Sequence, residues 1–251
     1  MYDLILKNCQ IVNEDSIYHS DIAIKNERIA LINNTIDAEA KEVIDVEAKY
    51  VIPGMIDDQV HFREPGLTHK GSIATESRAA LAGGITSFFE MPNVNPTTTT
   101  NENLRNKFDL ASQKSVGNYS FYLGGSNTNI EEIKRVDTSL AAGLKVFMGA
   151  STGDMLVDNP DTLEDIFKYC PVNIVTHCED TPTILKNEQI FAEKYGDDLN
   201  ATHHPYIRDD ISCYLSSSMA IDLAKRNDAN LHVLHLTTKK EMDQFVSGAI
   251  D

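Results

Sequence analysis

Two rhythms of apolar and polar positions divide the chain. Up to residue 52, short segments of alternating polarity are separated by polar turns, which predicts strands at 4–12, 20–24, 28–32 and 42–46 with no long helical period. Past Pro53-Gly54 the pattern changes to short apolar runs alternating with longer amphipathic stretches. The runs predict strands at 55–62, 85–91, 119–123, 144–148, 172–177 and 231–235. Helices are predicted between them at 73–82, 101–115, 130–142, 162–169, 183–195 and 210–226. Alternation of this kind builds a parallel α/β sheet through right-handed crossovers.

The division is therefore a small β-rich domain over 1–52 and an α/β domain over 53–251. About 200 residues at roughly 33 per strand–helix unit give six units, whereas a closed (β/α) barrel needs eight. An open doubly wound sheet is the rival, but no glycine-rich phosphate loop follows any predicted strand. Gly83-Gly84 stands in front of a strand, on the wrong side for that role. The sequence reaches Ile250-Asp251 within what reads as a seventh crossover. The expected fold is thus a (β/α) barrel with about six of eight units, truncated before strands 7 and 8.

Composition narrows the function classes. The formal net charge is −16, which argues against the clustered Lys and Arg of a nucleic-acid interface. No apolar run approaches the roughly 18 residues of a membrane span, and the N-terminus reads as a strand rather than a signal peptide. The four cysteines, Cys9, Cys170, Cys178 and Cys213, show no close pairing, so neither a disulfide framework nor a cysteine-based zinc site is indicated. A reduced, cytoplasmic protein is the expectation.

Candidate chemistry gathers at strand ends. Along 55–62 and just beyond, Asp57, Gln59, His61 and Arg63 share one face, and Pro65-Gly66 ends the strand so that His61 and Arg63 stand at its C-terminal end. Polar groups on one face of a buried strand are costly without partners, and barrel enzymes place their chemistry at this end. His177 and His235 end two further strands in the same way. Lys145 lies among Leu144, Val146, Phe147 and Met148. A buried, unpaired ammonium gives up its proton, and the neutral amine can add carbon dioxide to form an anionic carbamate, an oxygen ligand able to bridge two metal ions. Imidazoles with such a bridge suit zinc. Other histidines carry less: His232 faces away from His235 and is expected under a helix, His203 and His204 fall in a loop, and His19 and His69 read as surface residues.

These stretches resemble the signature of dihydroorotases in the amidohydrolase superfamily. The resemblance runs from Ile56 to Gly66 and on through Thr68-His69-Lys70, Ala82-Gly83-Gly84-Ile85-Thr86, Met91-Pro92-Asn93, Gly143-Leu144-Lys145 and Thr176-His177-Cys178-Glu179. It implies a metal-dependent hydrolase barrel beside the small N-terminal β domain. It makes Lys145 the carbamylated lysine bridging two zinc ions, with His177 and His235 on the more exposed metal and His61 on the more buried one. A sister pattern places an aspartate just past that lysine; here Gly149 and Ala150 stand there, and Asp154 is too far along to substitute. Arg63 and Asn93 are implied to grip the substrate carboxylate. Allantoinases carry asparagine where Arg63 stands, and dihydropyrimidinases lack the Arg-Glu-Pro-Gly pattern.

Two departures follow. Gln59 replaces the first histidine of the family's His-x-His pair, so the buried metal is expected to be weak or absent. The family's catalytic aspartate comes from the eighth strand, which would lie beyond residue 251, so no catalytic general base is expected within the chain itself. The implied activity is reversible hydrolysis of dihydroorotate to N-carbamoyl-L-aspartate in pyrimidine biosynthesis, by a homodimer whose 251-residue portion is inactive on its own. The alternatives are a metal-poor structural subunit, for example a partner of aspartate carbamoyltransferase, and a related cyclic-amide hydrolase such as an allantoinase.

Overall fold

A computed structural model of the protein describes residues 1–149 and 155–248. Ala150, Asp154, Ile250 and Asp251, each singled out by the sequence, lie outside the described residues. The chain divides into two compact units, Met1–Met55 and Ile56–Asp251.

The first unit is one sheet of five strands: β1 (Tyr2–Asn13), β2 (Ser16–Lys25), β3 (Arg28–Asn33), β4 (Ala40–Asp45) and the short β5 (Tyr50–Val51). Strand order is β3-β2-β1-β4, with β5 also on β1. The β1–β2 register shifts between Leu6 and Cys9, where Asn8 takes a left-handed conformation at φ 59°. The buried Asp21 carboxylate holds this irregularity, accepting Asn8 N–H at 3.0 Å and Ile36 N–H at 2.9 Å and pairing with Lys7 at 2.9 Å.

The second unit carries six strands: β6 (Met55–Val60), β7 (Ile85–Glu90), β8 (Asn118–Gly124), β9 (Ala141–Phe147), β10 (Ile174–His177) and β11 (Leu231–Val233). Their spatial order is β6-β7-β8-β9-β10-β11, the same as their chain order, and every neighbouring pair from β7 to β11 is parallel. A doubly wound sheet reverses direction at a switch point. An uninterrupted order is instead an arc of a (β/α) barrel. Helices α1 (Ile73–Ala82), α2 (Asn101–Ser112), α3 (Ile130–Lys134), α4 (Pro160–Tyr169), α5 (Thr181–Tyr195), α6 (His204–Ile207), α7 (Asp210–Asn227) and α8 (Lys239–Met242) complete it. Most start where the sequence supplies a cap: the side chains of Ser72, Thr100, Asn159, Asp180 and Asp209 each accept a first-turn N–H.

The two faces of the parallel sheet bury different clusters. Phe121, Leu123, Leu144, Val146, Ile174 and Val233 pack against the helices. Met91, Tyr122, Val175 and Leu234 form a smaller cluster on the other face. Alternation along β9 and β10 places Lys145, Val175 and His177 away from the helical layer. Three expectations need correction. His203 and His204 do not fall in a loop: His203 closes a 3-10 turn, Ala201–His203, and His204 opens α6 with Pro205 in its first turn. The helix predicted over 130–142 stops at Lys134, because the Asp137 side chain accepts the Ser139 N–H at 3.1 Å and its hydroxyl at 2.6 Å, a turn that competes with the helix. His232 is not covered by a helix; it is exposed, with Nε2 3.6 Å from Asp58 Oδ2.

Candidate metal centre

The three histidines and the lysine arrive from four strands. His177 is the last residue of β10, His61 follows β6 directly, and His235 stands two residues past the end of β11. His235 leaves its strand through a left-handed backbone conformation, φ 38°. Register sets Lys145 opposite Val175 and Phe147 opposite His177, so Lys145 stands one inward-facing position deeper than His177.

His177 and His235 are brought together. His177 Nδ1 lies 3.0 Å from His235 Nε2, and the rings meet edge to face at 4.9 Å between centroids. On its far side His177 Nε2 is 2.6 Å from Glu179 Oε2. A carboxylate there holds the ring proton on Nε2 and leaves the Nδ1 lone pair turned toward His235. Arg208 pairs with the same Glu179 oxygen at 3.3 Å. Burial pushes the Glu179 carboxyl up, but the His177 hydrogen bond and the His177 and Arg208 charges outweigh it and hold the group below the usual carboxylate range. His177, Cys178, Glu179, Cys213, His235 and Glu241 contribute to the wall of a cavity of about 110 Å³.

Lys145 is 1% exposed, with Nζ 4.7 Å from the Phe147 ring centroid. Burial brings its ammonium down to about 7. The Lys145 charge reaches both histidine groups. It adds to burial and to the neighbouring His177 in lowering His235, and to burial and Arg63 in lowering His61, which falls to about 4. These groups are thus biased toward the neutral, lone-pair-bearing forms that bind metals.

His61 stands with Asn93: its Nδ1 is 2.9 Å from Asn93 Oδ1, which leaves Nε2 as the free ring nitrogen. Arg63 also adopts a left-handed backbone, φ 70°, and its N–H donates to Glu90 Oε1 at 3.0 Å. No acceptor among the described residues pairs with its guanidinium. Among the described residues, no hydrogen bond or ring contact joins the His61–Asn93 pair to the His177–His235 pair; the two share the Lys145 charge.

The donor set fits a divalent ion. Two nitrogens bound tetrahedrally at about 2.0–2.1 Å stand roughly 3.3 Å apart, so 3.0 Å between Nδ1 and Nε2 is a small adjustment away. In the metal-free pair one proton is shared along that line, and a cation can take its place. Among the described residues no three His, Cys, Asp or Glu side chains are gathered as an ion-holding group, so the histidine pair by itself is two donors short of a tetrahedral site. Sequence reasoning assigned no role to Glu179, Arg208, Glu90 or Lys107. The available signals were a carboxylate two residues past His177, a glutamate inside the apolar run Phe88-Phe89-Glu90-Met91, and a lysine on the apolar stripe of Leu104 and Ala111.

The model of the amidohydrolase family matches residues 50–243. An allantoinase of Desulfitobacterium hafniense is 31% identical over 247 residues, 96% of this chain and 55% of the relative. A dihydroorotase of Methanosphaera stadtmanae is 28% identical over 251 residues, 97% of this chain and 55% of the relative. The solved L-hydantoinase (dihydropyrimidinase) of Arthrobacter aurescens superimposes with a TM-score of 0.92 at 30% identity, over 97% of this chain and 55% of that one. The chain spans about half the length of the curated relatives it matches. With six consecutive strands in barrel order and histidines at three of their C-terminal ends, the chain belongs to the amidohydrolase family.

Proposed function

We propose that this chain contributes the metal-binding and carboxylate-reading part of a cyclic-amide hydrolase, and that its ring substrate is dihydroorotate. His177, His235 and carbamylated Lys145 would hold zinc, with His61 available to a second ion. When bound, the ion supplies Lewis acidity toward a ring amide and toward water. Glu179 orients His177 and keeps its proton on Nε2. Asn93 does the same for His61 from the Nδ1 side.

The observation that carries the choice of substrate is Arg63. Its guanidinium has no acceptor among the described residues, and its charge is felt by His61. A free planar fork next to the reacting groups suits a ring that bears a carboxylate. Both carboxylates lining the cavity are engaged, Glu179 with His177 and Arg208, and Glu241 with the Thr238 hydroxyl at 2.7 Å. We therefore propose that the general base is not supplied by this chain and that the chain alone does not turn over substrate.

A second reading is favoured by the relatives' names: allantoinase and hydantoinase match as well as dihydroorotase, and their names point to rings without that carboxylate. Binding separates the two. With zinc and bicarbonate supplied, the chain should bind L-dihydroorotate more tightly than dihydrouracil, the same ring lacking the carboxylate. Arg63→Gln should erase the difference, a loss of about 10- to 100-fold for one charge-assisted contact. Equal binding of both rings by the wild type, or tighter binding of allantoin, would overturn the dihydroorotate reading.

A further inference from the structure

Behind Arg63 and Asn93 lies an ion pair that takes no part in the chemistry described above. Glu90, at the end of β7, is 0% exposed and Lys107, in the middle of α2, is 2% exposed. Lys107 Nζ is 2.9 Å from Glu90 Oε2, off the hydrogen-bonding direction. The same ammonium donates to the Met91 carbonyl at 2.9 Å and sits 5.0 Å from the Phe121 ring centroid. The other Glu90 oxygen, Oε1, accepts the Arg63 N–H at 3.0 Å. Burial pushes Glu90 up and Lys107 down, each toward its neutral form.

One buried ammonium thus grips both edges of the carboxylate-reading corner. Through Glu90 it reaches the backbone of Arg63, which adopts a conformation that non-glycine residues rarely take. Through the Met91 carbonyl it reaches the segment leading to Asn93, two residues on. The Met91 N–H meanwhile donates to Val60 O at 3.0 Å, tying that segment to the strand that ends before His61. A pair that only filled space would be replaceable by apolar side chains at little loss, since a buried ion pair is weak evidence for stability.

We propose that Glu90 and Lys107 are positioning residues that set the separation of Arg63 and Asn93, and so determine selectivity for a carboxylate-bearing ring. The selectivity half rests on the dihydroorotate reading above.

The test uses the full chain with zinc and bicarbonate. Removing one partner strands a buried charge, so the variants are paired: Glu90→Met with Lys107→Met, and Glu90→Gln with Lys107→Met, which keeps an acceptor for the Arg63 N–H. Expected for the double methionine variant is an about tenfold loss of affinity for L-dihydroorotate, with dihydrouracil binding unchanged. The glutamine variant, which keeps an acceptor for the Arg63 N–H but loses the ion pair and the hold on Met91, should fall about threefold, and it carries the test if the double methionine protein does not fold. Equal losses for both rings, or no loss in a folded variant, would overturn the proposal. If the wild type itself shows no preference for dihydroorotate, the substrate reading fails instead, and positioning is decided by amide exchange over residues 61–67. About tenfold faster exchange in the variants supports the positioning role, and unchanged exchange overturns it.

Discussion

Replacing Lys145 with methionine in metal-free protein, in buffer free of carbon dioxide, exposes the cost of burying that amine. The side chains are close in length, so the packing against Phe147 and Val175 is largely kept. Lys145 is 1% exposed and its proton affinity is lowered from 10.5 to about 7. At 1.36 kcal/mol for each tenfold in affinity, the folded state pays about 5 kcal/mol to hold the charged form. The sign follows from proton counting. Between about pH 7 and 10.5 the unfolded chain binds the extra proton, so wild-type stability from this group rises with pH across that window. Below pH 7 both states are protonated and the full penalty applies. Lys145→Met should therefore be more stable than wild type by several kcal/mol near pH 6.5, with the gap closing by about 1.4 kcal/mol per pH unit toward pH 10. Urea unfolding of both proteins across this range, read as their difference, isolates the one group. A difference that stays flat from pH 6.5 to 10 would refute the reasoning, because a lysine that titrates normally contributes no such slope. Zinc with bicarbonate should abolish the wild-type penalty, since the carbamate replaces the ammonium.

Other perturbations have equally definite outcomes. Glu179→Gln removes the charge that orients His177 and should weaken zinc binding about 10- to 100-fold in a chelator competition, with little change in metal-free melting. His61, lowered to about 4 by burial first and Arg63 second, should show no NMR titration midpoint above pH 5, and a midpoint near 6.5 would place it outside this environment. Gly149→Ala would set a Cβ 2.1 Å from the Glu179 carbonyl oxygen, so a loss of about 1–3 kcal/mol on urea unfolding is expected, together with weaker zinc binding. Turnover of dihydroorotate by a verified 251-residue preparation would contradict the proposal that the general base is not supplied by this chain.

The barrel arc was legible because its signals are local. The helix at Ile73–Ala82 falls on the predicted residues, since Ser72 caps it and Gly83 ends it. Ala141 and Ala142 read as the end of a helix but open β9, because Asp137 turns the chain first and β8 then pairs with Ala141. The His177–His235 contact was within reach of the sequence: three histidines placed at strand ends share one rim by the geometry of the fold. The carboxylate clamp on His177 and the Glu90–Lys107 pair were not. Arg208 lies 29 residues beyond Glu179 on a different element, and only the folded chain shows that the two charges meet. Nor could the sequence show that Asn93 faces His61 directly, so that a residue read as a substrate contact also fixes a ring tautomer.

The centre itself is tested most directly by zinc content and native mass of the 251-residue chain after zinc and bicarbonate are offered together. The expected result is about one zinc and one added carbon dioxide per chain, both lost in Lys145→Met and the zinc lost in His177→Ala. A chain that takes up no zinc, or one that holds it equally well without Lys145 and His177, would contradict the assignment of these residues as a metal centre.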